Sequence, residues 1–208
     1  MEIPYAIVDA FIQRPLAGNP IAIVPHAETL DEPTMRRIAG ELKKAATTFI
    51  LQPKNSSVDR SLRSFTATGE EIFGAGHNSL VAWWWLAESG DLTLDEGRNY
   101  FTQEIGGEFL PVEVRCEERQ PVAVVLTHLS PVFGAICEDL PKLADTLGLE
   151  EEDIMLSLPS QVVSTGEAHL ARSGNRSRDH CESSTRHSTT QTPPSGSRRR
   201  GVLPLLSG

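Results

Sequence analysis

The chain has 208 residues, 39% of them hydrophobic and 23% charged, with a formal net charge of −9. That is the composition of an ordinary globular protein of one large or two small domains. The acidic balance argues against a nucleic-acid partner, which calls for a basic face, and against an anionic membrane surface. The opening MEIPYAIVDAF has no basic leader segment, and the longest uncharged apolar run, Leu80 to Ala87, is far short of the ~20 residues of a spanning helix. Cys116, Cys137 and Cys181 are odd in number and far apart, so they form neither a disulfide framework nor a CxxC metal site. A reducing, cytoplasmic setting is expected.

In chain order, Tyr5–Phe11 and Ile21–Val24 read as strands around the turn LAGNP, where Gly18 allows a tight bend and Pro20 breaks pairing. A helix follows: Asp31 caps, Pro33 suits the first turn, and Met35, Ile38, Ala39, Leu42, Ala45 and Ala46 keep helical spacing. Thr47–Leu51 and Leu62–Thr66 are strands. Residues 78–88 are helical and apolar nearly all round, with three consecutive tryptophans, so protein must enclose this helix. Strands wrapping one central helix would do so. Asn99–Gln103, Glu108–Arg115 and Val122–Thr127 are strands, with a hinge at Gly106 and Gly107. Asp139–Leu147 is a short helix and Gln161–Ser164 a last strand. Strands followed by one helix thus occur in both halves, which suggests two similar lobes.

Composition switches near residue 171. The first 170 residues hold 12 Lys and Arg against 26 Asp and Glu, whereas 171–200 hold seven Arg, no Lys and two acids, without a large aliphatic or aromatic side chain. Such a segment cannot bury enough apolar surface to offset its chain entropy, so 171–208 is expected to be disordered. An out-of-frame translation would give this composition; the functional alternative is a basic arm for an acidic partner.

The stretch GAGHNSL, Gly74 to Leu80, carries the candidate site. His77 and Asn78 stand at the start of the enclosed helix, where free backbone N–H groups favour an anion such as a carboxylate. Gly74 and Gly76 let the backbone approach a ligand, and His77 can move a proton or bind a carboxylate. The structural alternative is that Asn78 only caps the helix and His77 only packs in a loop.

Four segments in order resemble one family, the phenazine-biosynthesis PhzF-like proteins of the diaminopimelate-epimerase fold. They are VDAFIQRPLAGNPIAIV (8–24), MRRIAGELKKAATTFIL (35–51), FTATGEEIFGAGHNSL (65–80) and PSQVVSTGEAHL (159–170). The resemblance implies an α+β fold of two similar lobes, each a sheet curled around a central helix, with the active site between them. It implies isomerisation of small carboxylate-bearing molecules by proton transfer, without metal or organic cofactor, in proteins that are often homodimers.

Carried over residue by residue, the resemblance makes His77 the proton-handling residue and Asn19, Gly76, Asn78 and Ser79 substrate contacts. Two departures oppose turnover. The family's acid/base glutamate falls on Ala46, and a methyl group cannot carry a proton. Glu70 and Glu71 are nearer substitutes than Glu41, but charged loop residues are usually structural. The family's E-D-P-x-T-G-S segment does not occur in the 208 residues. The expected organisation is therefore an N-terminal lobe over 1–107, a truncated second lobe over 108–170 and the tail 171–208. Missing strands would leave open edges and an exposed apolar face. The function expected is isomerisation, with an inactive metabolite- or partner-binding relative as the alternative.

Overall fold

The computed structural model describes residues 2–11, 18–154, 157–165, 168–173 and the backbone of 198–204. It divides into two compact units, Met1–His128 with Thr192–Gly208, and Leu129–Gln191.

The larger unit is one mixed sheet curled around one helix. Its strands are β1 (Glu2–Ala10), β2 (Asn19–Val24), β3 (Ala46–Leu51), β4 (Arg60–Phe65), β5 (Glu71–Ile72), β6 (Gly97–Ile105), β7 (Glu108–Glu117), β8 (Gln120–Leu126) and β12 (Arg198–Pro204). The order across the sheet is β12-β1-β2-β3-β4-β6-β7-β8, with β5 beside β4. Pairing is parallel at β2/β3 and β4/β6 and antiparallel elsewhere in this sheet. Helix α1 (Glu32–Leu42) links the first parallel pair, and α2 (His77–Ser89) lies between β5 and β6 in the chain.

Strand alternation splits the packing into two layers. Ala6, Val8, Ala10, Ile21, Ile23, Ala46, Ile50 and Leu62 join the core around α2. Ile3, Val24, Phe49 and Phe65 join Met35, Ile38 and Ala39 of α1 in the other core. The central helix touches β1, β2, β3, β7 and β8, strands from both ends of the sheet, which is what curling produces. Its apolar sequence is thereby satisfied: Val81, Ala82, Trp83, Trp85, Leu86 and Ala87 are buried, and Trp83 lies 5.2 Å from the Phe101 ring.

Helix α1 starts as its sequence indicates, with the Asp31 carboxylate accepting from Thr34 N–H and a proline in the first turn. It ends earlier than the apolar spacing suggests. Lys43 turns left-handed (φ 49°) and donates its N–H to Ala39 O, and Ala46 opens β3 opposite Ile21. A backbone ladder with β2 outweighs the helical spacing of two small alanines. Gly106 and Gly107, with φ of 60° and 83°, make the two-residue turn of the β6–β7 hairpin.

The larger unit extends to His128, where β6, β7 and β8 form one antiparallel meander whose Val112, Val114, Val124 and Leu126 share the α2 core. Two further observations differ from expectation. Helix α2 begins at His77, with Gly76 and not Asn78 in the cap position. Within the tail expected to be disordered, Arg198–Pro204 pairs antiparallel with β1, Val8 opposite Arg198 and Glu2 opposite Pro204. Pairing on an open strand edge uses backbone groups and needs no apolar side chain. Residues 174–197 and 205–208, Cys181 included, lie outside the described residues.

The smaller unit holds a three-stranded antiparallel sheet in the order β11-β10-β9, built from β9 (Val132–Ile136), β10 (Gln161–Ser164) and β11 (Ala168–Ala171). Its helix α3 (Leu140–Leu147) is capped by Asp139, and its core is small, made by Leu143, Ala144 and Ile154. Every residue of β9 and β11 is exposed, Val132, Phe133 and Ile136 among them.

Candidate active site

The loop Phe73–Gly76 delivers the chain to α2, and three contacts set its course. Upstream, Arg63 of β4 pairs with Glu71 of β5 at 2.6 Å and with Glu32 of α1 at 2.6 Å. The Arg63 and Arg36 guanidinium groups each lie 5.1 Å from the centroid of the Phe65 ring. Glu71 is therefore committed to this outer cluster, while Glu70 is an exposed turn residue whose backbone bonds to Thr66. Below the loop, a Cβ on Gly106 would stand 2.5 Å from Phe73 O, so the hairpin and the loop approach as only glycine allows. Inside the loop, Asn78 Oδ1 accepts from Gly76 N–H at 2.8 Å, and Asn78 Nδ2 donates to Gly74 O at 3.3 Å.

The first turn of α2 is pinned from two sides of the sheet. Asn78 Nδ2 also donates to Ser64 Oγ on β4 at 2.9 Å, and Ser64 Oγ lies 3.0 Å from Thr48 Oγ1 on β3. Ser79 Oγ donates to Gln103 Oε1 on β6, and the same oxygen accepts from Trp83 Nε1 at 2.8 Å. Thr48, Ser64, Asn78, Ser79 and Gln103 are all buried. This polar layer in an apolar core is high-stakes, because in a medium of low dielectric each bond is strong and each loss costly.

His77 stands at the first helical position, half-buried. Its Nε2 is buried and has no hydrogen-bond partner among the described residues. Burial pushes the imidazole below the ordinary histidine value, so it is neutral at pH 7. A neutral ring with an unengaged nitrogen can accept or deliver a proton. The backbone N–H groups of His77, Asn78 and Ser79 precede the first intrahelical bond, Leu80 N–H to Gly76 O, and give this end a positive field.

The expected site residues are thus placed unevenly. Gly76, His77, Asn78 and Ser79 form one turn, but the Asn78 and Ser79 side chains are spent on internal bonds. Asn19 opens β2 opposite Ala10, next to a turn whose residues 12–17 lie outside the described set. Ala46 is fully buried in the α2 core, two residues before Thr48 on the same strand. Sequence reasoning missed Thr48, Ser64 and Gln103. Their signal was available: each is polar at a position whose strand neighbours two residues away, Ala46 and Ile50, Leu62, and Ile105, face the α2 core. Among the described residues, no group of three or more His, Cys, Asp or Glu side chains could hold a metal ion. None of their helices is long and apolar enough to cross a membrane.

The sequence pattern of the phenazine biosynthesis-like proteins, PhzC-PhzF, matches residues 8–177, which include the end of β1, the Ala46 junction and the Gly76–His77 turn. The chain belongs to this family. PhzC/PhzF relatives include a trans-2,3-dihydro-3-hydroxyanthranilate isomerase of Pseudomonas aeruginosa, 38% identical over 166 residues, covering 80% of this chain and 55% of that protein. An uncharacterised isomerase of Bacillus subtilis is 35% identical over 158 residues, covering 76% and 52%. A PhzF-family protein of Bacillus anthracis has a solved structure that superposes with a TM-score of 0.66 at 30% identity, over 81% of this chain and 54% of that one. A hydroxyproline epimerase of Agrobacterium vitis, at 13% identity and a TM-score of 0.57, shares the fold alone. The PhzC/PhzF proteins are thus a family of isomerases on an epimerase-like α+β fold. This chain spans about half the length of the curated relatives it matches, 52% and 55% for the two named here.

Proposed function

We propose that this chain binds a small carboxylate-bearing metabolite at the His77 end of α2 and isomerises it by moving a proton, in the cytoplasm and as a homodimer, without a metal or organic cofactor. The observation that carries the reading is the buried, partnerless Nε2 of a neutral His77 at a helix N-terminus, within the family's Gly-His turn. The backbone N–H groups hold the carboxylate, and the imidazole exchanges a proton with the carbon next to it. The relatives' named activity makes trans-2,3-dihydro-3-hydroxyanthranilate the first substrate to try.

A second reading, a metabolite- or partner-binding relative without turnover, is favoured by Ala46, whose methyl group cannot carry a proton at the position where the family resemblance implies an acid/base glutamate. Incubation with the named substrate in D2O separates the two. Deuterium entering the substrate, and failing to enter with His77→Ala, supports isomerisation. A shift of the His77 ring resonances on substrate addition without deuterium uptake supports binding alone. If neither occurs, the assignment of this substrate class fails.

A further inference from the structure

Gln103 is fully buried on β6, yet neither an apolar side chain nor a satisfied polar one. Its Oε1 takes two donors from one helix face, Ser79 Oγ and Trp83 Nε1, one turn apart. The indole N–H is a donor only, so the amide oxygen must face it and the assignment of the amide is fixed. Its Nε2 is left buried without a partner among the described residues. An apolar residue here would avoid that unsatisfied donor, but would strip Ser79 and Trp83 of their acceptor.

The position explains the arrangement. Ser79 is two residues beyond His77 in the opening turn of α2, and Trp83 follows one turn later. Asn78 ties the same turn to β4, through Ser64. Gln103 supplies the tie to β6. With both made, the helix end can neither rotate nor fray without breaking a buried bond, and His77 is carried with it.

We propose that Gln103 is the positioning residue of the His77 site, fixing the depth and orientation of the imidazole through Ser79 and Trp83. It deepens the site proposed above but does not require turnover. The test is therefore made without substrate: the rate of carbethoxylation of His77 by diethylpyrocarbonate, followed by peptide mass mapping of the full chain.

Gln103→Leu is expected to raise the His77 rate roughly thirtyfold, the effect of two lost buried hydrogen bonds on a local opening equilibrium. Gln103→Glu keeps an oxygen acceptor for both donors and should stay within about twofold of wild type. Val114→Ala, in the same core but with no bond to α2, is the control for general loosening and should also stay within about twofold. If Gln103→Leu does not fold, Trp83→Phe removes one of the two donors and should raise the rate by a smaller factor. An unchanged His77 rate in the foldable variant of this pair, or an equal rise in Val114→Ala, would overturn the proposal. Absence of deuterium uptake by any substrate would defeat the isomerase reading and leave this one standing.

Discussion

Ala46→Glu places at position 46 the acid that the family resemblance implies there and asks the core to hold it. Position 46 has no exposed surface and packs with Ile21, Ile50 and the residues of α2. The polar group two residues along the strand, Thr48, is already bonded to Ser64. A neutral carboxyl costs about 1–3 kcal/mol without a partner, and its extra volume about 1–3 kcal/mol more. An ionised carboxylate costs several kcal/mol, so the core favours the protonated form and raises its pKa above the ~4.3 of the unfolded chain. Between these two values the native variant binds more protons than the unfolded one, so its stability falls as pH rises through that window and then levels off.

The expected loss relative to wild type is therefore about 2–6 kcal/mol at pH 5 and larger by about 1–2 kcal/mol at pH 8. Urea denaturation of both proteins at the two pH values measures it, and taking the difference removes the pH dependence of the wild type. A loss below about 1 kcal/mol, or one independent of pH, would refute the reasoning. The carboxyl would then reach water, and position 46 would open onto a hydrated pocket. The same variant bears on function, because turnover appearing with Ala46→Glu would mean that this methyl group alone silenced the site.

Three other outcomes follow from the geometry. His77 is held neutral by burial, so the unfolded chain takes up its proton first; stability should be complete above pH ~6.5 and decline as pH falls below it, and a ring titration by NMR that gave His77 an ordinary or raised value would contradict this. Asn78→Ala leaves the Gly76 N–H, the Gly74 carbonyl and Ser64 without their partner and should cost about 2–4 kcal/mol in chemical denaturation, whereas a loss under about 1 kcal/mol would show that the loop does not depend on it. Gly106→Ala combines a left-handed backbone with a Cβ 2.5 Å from Phe73 O and should cost about 1–3 kcal/mol; a neutral result would mean that loop and hairpin do not approach so closely.

What could be read from residues one after another was local. Asp31 followed by Glu32 and Pro33 places the start of α1, because the cap and the first turn involve only neighbours. The run from Leu80 to Ala87 requires an enclosed helix whatever encloses it, since an all-round apolar cylinder has no face for water. Two adjacent glycines at 106 and 107 fix a tight hairpin, because two consecutive left-handed residues are what its turn needs. The Gly76–His77 turn was legible in the same way, as a short string of residue types.

The tertiary structure decided what depends on partners distant in sequence. Ala46 has the spacing of a helix and becomes a strand because β2 offers it a ladder. Glu71 is removed from the candidate acids because Arg63 and Glu32 claim its surroundings, a fact no spacing shows. Asn78 looks like a cap and instead bonds backward to Gly76 and across to Ser64. Gln103, 24 residues beyond Ser79, has no local signal for its partners at all. Periodicity determines which face of an element is buried, because it is a property of one helix or strand. Which polar groups meet inside the core is set by how the sheet curls around α2, and that is a property of the whole fold.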